Sequence, residues 1–310
     1  MSRYTVITSG SSYLDIDAYA CCIALSELKK LQGCRAIAYS KASINSSVSN
    51  SLLVHKDKIL KEIPCDCDLE HTNFSIVDLS DPSYFEEIVR LDKVVEIYDH
   101  HTGFEEFWYE KLGNKSRIHF IGAAATLVYQ EWTKHNMLSR MSQDTAKLLL
   151  AGILDNTLNL LSSNTTDLDV KAKTDLCAIA NVDDEWCQQY FSEVQLEIEK
   201  DLRTSLVKDI KQIRPNDNLP STIGQIAVWD ASRIMKRIDE VIACFDSISS
   251  HWLMNVIDIS EGCSYFICND CNYRERIANL FEVDFDNSLV KMPKMYLRKE
   301  ILKIAGYMKK

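Results

Sequence analysis

The sequence predicts an α/β protein: an N-terminal, mostly parallel, doubly wound sheet followed by a smaller α/β unit. Three observations lead there. The chain has 310 residues, about twice the usual domain size, so two domains are expected. Short apolar runs alternate with helical periodicity through its first half, which implies right-handed βαβ crossovers and a sheet covered on both faces. Turn-forming Pro215, Asn216, Asp217, Asn218 and Pro220 then separate a helical stretch from a second set of short strands.

Residues 4–8, within an N-terminal stretch 1–10 that reads as a strand, are β-rich. Residues 18–31 carry helical periodicity that stops at Gly33. A strand is expected over 35–39 and a helix around 49–61. Strands over 74–77 and 93–98 flank a helix opened by Asp81-Pro82 and running to about residue 90, with proline in its first turn. A strand over 117–121, a helix over 123–135 and mostly helix over 142–206 complete the first half. Beyond the turns, strands are expected over 223–229, 252–259 and 264–268, with helices over 231–245 and 274–281. The boundary is placed near residue 190, giving domains 1–190 and 191–310.

Composition narrows the function. Lys and Arg total 35 against 45 Asp and Glu, a net charge of −10, which disfavours duplex nucleic acid as a partner. A small anionic substrate remains compatible, because bound cations reverse the sign of a local site. No run approaches the length needed to span a bilayer, and the start lacks the charged-then-apolar pattern of a secretory signal, so no membrane partner is expected. Cys21, Cys22, Cys177 and Cys244 sit at helical apolar positions and read as small hydrophobes. Cys268-x-x-Cys271, without a second pair, reads as thiols rather than a zinc site. A cytoplasmic location is expected.

In doubly wound sheets, ligands bind beyond the carboxyl ends of the strands. Asp15 and Asp17 follow the first strand, Asp78 ends the strand 74–77, and Asp99, His100 and His101 end the strand 93–98. Asp155 lies in the run 151–157. Taken singly, each residue suits a helix cap, a surface site or the core. Delivered together to one sheet edge, such carboxylates would raise one another's pKa unless a cation neutralises them. Two divalent metals do so, and oxygen ligands with one or two His suit Mn²⁺, Mg²⁺ or Co²⁺.

These residues also resemble a known family. Tyr98-Asp99-His100-His101 looks like the Asp-His-His motif of the DHH phosphoesterase superfamily, and Asp15-Ile16-Asp17 its first motif. Val77-Asp78 resembles the second motif, residues 121–126 the glycine-containing helix start, and residues 151–157 the fourth motif. The exonuclease-type relatives carry a Gly-Gly-Gly-His signature that this chain lacks. Asp209-Ile210-Lys211 and Leu297-Arg298-Lys299-Glu300 instead resemble segments of the DHHA2 domain. That branch includes manganese-dependent inorganic pyrophosphatases and exopolyphosphatases.

The resemblance implies a phosphoanhydride hydrolase with two divalent cations, Mn²⁺ foremost, working in a cleft between the domains. It implies Asp15 on the first metal, Asp17 and His100 on the second, Asp78 bridging both, and Asp99 ligating or orienting. His101, Lys211, Arg298 and Lys299 would take the pyrophosphate or polyphosphate, whose charge they neutralise. Two departures stand out. Ser11 occupies the place of a His or Asn, which weakens the first metal site. The fourth motif offers Asn156 where the family has Asp, with Asp155 one position earlier; Asp155 is the expected ligand, since a carboxylate binds divalent metals better, with the Asn156 amide oxygen as the alternative. Rival readings are a small-nucleotide phosphodiesterase and a degenerate, phosphate-binding member without turnover. Substrate length, native metal and oligomeric state are not written in the sequence.

Overall fold

The computed structural model describes residues 4–214 and 216–307. Residues 1–3 and 308–310, at the ends of the two expected domains, and Pro215 of the turn cluster lie outside the described residues. The chain forms two compact units that divide between Tyr190 and Phe191.

The first unit holds strands β1 (Tyr4–Thr8), β2 (Tyr13–Leu14), β3 (Arg35–Tyr39), β4 (Ser43–Ile44), β5 (Ile59–Leu60), β6 (Asn73–Val77), β7 (Val94–Asp99) and β8 (Ser116–Ile118). Its helices are α1 (Ile16–Leu31), α2 (Asn50–Leu53), α3 (Glu105–Leu112), α4 (Ala124–Lys134), α5 (Gln143–Thr157) and α6 (Asp167–Ala180), and α7 (Asp184–Lys200) spans the division. Six strands form one parallel sheet in the order β5-β3-β1-β6-β7-β8. From β1 the chain builds outward through β3 to β5, then returns to β6 and builds the other way. The carboxyl ends of β1 and β6 therefore flank the point where strand order reverses, the usual ligand crevice of an open α/β sheet.

One face of the sheet packs Val6, Phe74, Ile76 and Ile97 with Phe85 and Trp108. The Trp108 indole is wholly buried, and its Nε1 donates to the Ser80 carbonyl at 2.7 Å. On the other face lie α1 and α4, joined where Trp132 Nε1 donates to Ala24 O at 3.2 Å. Helix starts follow capping chemistry: Asp15 Oδ1 accepts the Ala18 amide at 2.9 Å, and Thr166 with Asp169 forms a capping box on α6.

Three expected helices differ. The stretch 49–61 yields only α2 and a 3-10 turn (Lys56–Lys58), because Ile59 and Leu60 pair with Ala38 and Tyr39 as the sheet's edge strand. The helix opened by Pro82 is a single 3-10 turn (Pro82–Tyr84). Beyond it Phe85 stacks 5.9 Å from Trp108, and buried Glu86 accepts Ser40 Oγ at 2.6 Å and the Lys41 amide at 2.7 Å. Tertiary contacts thus claim side chains that a helix would have turned elsewhere. Residues 231–245 split into two short helices, and the strand expected over 117–121 stops at Ile118.

The second unit contains α8 (Leu202–Lys208), β9 (Ile210–Gln212), β10 (Thr222–Val228), α9 (Ser232–Met235), α10 (Ile238–Asp246), β11 (Trp252–Asp258), β12 (Cys263–Cys268), α11 (Cys271–Phe281), β13 (Leu289–Lys291) and α12 (Arg298–Ile304). Its sheet runs β13-β12-β11-β10-β9 and is mixed, with β10 and β11 parallel and the other pairs antiparallel. Leu253, Phe266, Ile277 and Ile301 centre its core. Among the described residues, no helix is long and apolar enough to cross a membrane.

Trp108→Ala should destabilise the fold by about 3–5 kcal/mol, since it empties a packed site and orphans a buried carbonyl. Urea unfolding measures this; a loss below about 1 kcal/mol would contradict the packing described.

Candidate metal centre

The acidic groups are placed by strand ends, by the start of α1 and, for Asp155, by the last turn of α5. Asp15 caps α1, and Asp17 follows in its first turn with no solvent exposure. The Asp17 carboxylate meets the N-terminus of α4: Oδ2 accepts the Ala124 amide at 2.8 Å, and Oδ1 the Ala125 amide at 2.7 Å. Burial lifts its pKa to about 6, against the opposing pull of His100 and those two amides.

Asp78 closes β6 with φ of 55°, a left-handed conformation that Asp tolerates better than bulkier residues. This residue is nearly buried, and its Oδ1 has no hydrogen-bond partner. His100 Nε2 stands 3.4 Å from that oxygen and His101 Nδ1 3.9 Å. Burial, then Asp17 and Asp15, push the Asp78 carboxyl well above its ordinary range, while His101 opposes them. One donor atom each from Asp78, His100 and His101 falls within 4.8 Å of the others.

Asp99 is wholly buried at the end of β7. Its Oδ1 meets His101 Nδ1 at 2.8 Å and accepts the His101 amide at 3.1 Å, while Oδ2 has no partner. Burial raises the Asp99 pKa, but the His101 contacts outweigh it and hold the carboxyl below its usual value. The same pair, with Asp78, keeps His101 above its own ordinary value against desolvation and the neighbouring His100. His100 Nδ1 lies 3.4 Å from Ile121 O. A proton on Nδ1 directed at that carbonyl leaves Nε2 free to act as a ligand.

The fourth-motif residues face different neighbours. Asn156 Nδ2 donates to Asp17 Oδ2 at 3.2 Å and to Gly152 O at 3.3 Å. Asp155 Oδ1 accepts from Tyr190 Oη at 2.9 Å, and burial with Asp15 and Asp17 nearby raises its pKa to about 7, against that hydrogen bond. Ser11 is exposed, and its Oγ donates to the Tyr84 carbonyl at 3.2 Å. The buried, unpartnered Asp78 oxygen beside two imidazoles fits a divalent cation, which Asp78, His100 and His101 are close enough together to share.

No family model matches the chain. The probable manganese-dependent inorganic pyrophosphatase of Staphylococcus haemolyticus is 23% identical over 298 residues, covering 92% of each chain. The manganese-dependent inorganic pyrophosphatase of Bacillus subtilis is 22% identical over 303 residues, 95% of each. Among solved structures, the putative family II inorganic pyrophosphatase of Methanococcus jannaschii matches with a TM-score of 0.62, at 19% identity over 97% of both chains. Along nearly its whole length the chain is similar to these pyrophosphatases, and it shares the fold of the solved one. An exopolyphosphatase-related protein of Bacteroides fragilis shares the fold more distantly, with a TM-score of 0.52 and 12% identity, over 98% of this chain and 91% of that one.

In the second unit, the two segments singled out by sequence meet. Arg298, at the start of α12, donates from Nη1 to Asp209 O at 2.6 Å and from Nη2 to Asp209 Oδ1 at 2.8 Å. Lys211 lies on β9, near enough to bear on the Asp209 carboxyl. Lys299 is exposed beside Arg298. Tyr190 and Asp169 went unnoticed in the sequence. Asp169 is fully buried, accepting the Gly122 amide at 3.0 Å and Thr126 Oγ1 at 2.5 Å, which steadies the loop leading into α4. The Thr166-x-x-Asp169 spacing marks a capping box, but the Gly122 and Thr126 contacts of Asp169 and the Asp155 contact of Tyr190 lie tens of positions away, beyond any local pattern.

Raised carboxyl pKa values make a signed prediction for the metal-free chain. Folded Asp17 and Asp155 hold protons that the unfolded chain releases, so stability rises as pH falls from 7 to 5.5. The gain should be about 2 kcal/mol. Saturating Mn²⁺ should remove the trend, because the cation displaces those protons. Denaturant midpoints across that window test both statements; higher metal-free stability at pH 7 would refute them.

Proposed function

We propose that this chain is a divalent-metal-dependent phosphohydrolase that cleaves phosphoanhydride bonds, with pyrophosphate or polyphosphate as substrate. The observation that carries the reading is the unpartnered Asp78 Oδ1, held 3.4 Å from His100 Nε2 at the point where strand order reverses. The names of the curated relatives support the substrate class, and the acid-rich centre supports cation dependence.

Asp15, Asp17, Asp78 and His100 are the residues that would hold two divalent cations, Mn²⁺ first, with Asp99 ligating or orienting and Asp155 completing the set. When bound, such cations polarise a phosphoryl oxygen and acidify water. Asp78 contributes an oxygen free of protein hydrogen bonds. Asp99 fixes the His101 ring and favours its protonated form, so His101 is suited to donate a hydrogen bond to a substrate oxygen. Ile121 O selects the His100 tautomer. Lys211, Arg298 and Lys299 supply cationic donors for the substrate, with Arg298 already aimed by Asp209. All eleven cysteines are free thiols, in keeping with a reducing cytoplasm.

A second reading rests on Asp17. Its two oxygens already accept two backbone amides and the Asn156 amide, and Ser11 is turned to a carbonyl. Such a site suits a phosphate-binding member without turnover.

Phosphate release decides between them. Metal-stripped protein, resupplied with Mn²⁺, Mg²⁺ or Co²⁺, is given pyrophosphate, tripolyphosphate and long polyphosphate in parallel. Metal-dependent release is expected, falling by about 10³-fold in Asp78→Ala. Metal binding without release from any of the three would favour the second reading.

A further inference from the structure

A second polar pocket lies on the α1–α4 face of the parallel sheet, alongside β7 and β8. Its volume is about 350 Å³, within the range of small-ligand sites. Lys29, Lys115, Arg117 and Lys134 line it together with Glu96 and Glu131. Four cations face two carboxylates, so the pocket is net positive within a chain of net charge −10. None of these residues belongs to the metal centre.

The two carboxylates are its buried floor. Glu96 lies against Lys29 Nζ at 2.8 Å, with Ser75 Oγ donating at 2.5 Å and Tyr98 Oη at 3.1 Å. Glu131 is nearly buried and serves Arg117, Lys134 at 3.3 Å and His135 at 3.5 Å. One carboxylate facing that many donors leaves positive charge uncompensated. Gln130 Oε1 accepts a second Arg117 donor at 2.7 Å, so the guanidinium is fixed in place. Lys115 is exposed at the rim and pairs with no acid among the described residues, with Asn114 beside it.

Pre-set guanidinium and ammonium donors around a concave site are the features that select phosphate oxygens. We propose that this pocket binds a small phosphate-bearing anion, at a site separate from the metal centre. Arg117 and Lys29 form its fixed inner donors, and Lys115 and Lys134 its adjustable rim. The ligand class is an inorganic phosphate chain or a low-molecular-weight phosphorylated compound.

The test is calorimetric titration of the full, metal-stripped chain with tripolyphosphate, so that binding is read without metal or turnover. Saturable binding at one site per chain is expected, weakened by added salt. Lys115→Glu with Lys134→Glu, both at exposed positions, should weaken it by about tenfold or more. Lys115→Gln alone should give a smaller loss, and circular dichroism checks that each variant is folded. The metal-stripped Asp78→Ala variant should bind as the parent does. Absence of saturable binding up to about 1 mM, or unchanged binding in the charge-reversed variant, would overturn the proposal. So would loss of binding in Asp78→Ala. The phosphohydrolase reading stands or falls separately, on metal-dependent release.

Discussion

Asp17 is wholly buried, with both oxygens turned onto the first amides of α4 and a side-chain amide from α5. Three helices therefore meet on one carboxylate. A lone buried charge of this kind is costly, and here the helix N-terminus, the Asn156 amide and nearby His100 offset the cost. Space is equally constrained: a Cβ on Gly152 would stand 3.2 Å from Asp17 Oδ1. The close approach of α5 to α1 that a glycine permits is what brings Asp155 and Asn156 to the acidic centre.

From that constraint the electrostatics of the site follow. Asp15, Asp17, Asp78 and Asp155 gather where the strand order reverses; burial foremost raises the carboxyls of Asp17, Asp78 and Asp155, and the charge of Asp15 adds to each. Asp99 escapes the trend because His101 binds it directly. The resulting centre has unpartnered oxygens on Asp78 and Asp99, beside imidazoles of fixed orientation. Protons or cations are the two ways to relieve it. A site that prefers protons when empty and cations when filled links metal affinity to pH without any further device.

How far the sequence carried depended on the range of the interactions concerned. The acid and His pairs were legible because strand ends deliver them by register alone: Val77-Asp78 and Tyr98-Asp99 each end an apolar run. Helix α1 was legible over 18–31 from periodicity and its terminal glycine. The segment 82–90 was not, because Phe85 and Glu86 are bound by Trp108, Ser40 and Lys41, contacts that no local pattern reveals. Likewise 59–60 became a strand through pairing with β3, against its helical neighbourhood.

By itself the sequence determined the α/β class, the strand ends that carry acids, and the candidate list from Asp15 to Lys299. It did so because apolar periodicity and residue chemistry are local properties. Tertiary structure alone decided that Asn156 faces Asp17 while Asp155 faces Tyr190, that Ser11 is spent on a carbonyl, and that Asp209 aims Arg298. Those outcomes depend on which distant backbone groups and side chains converge. A buried polar atom takes whichever partner the packed fold brings within reach, and spacing along the chain does not record that choice.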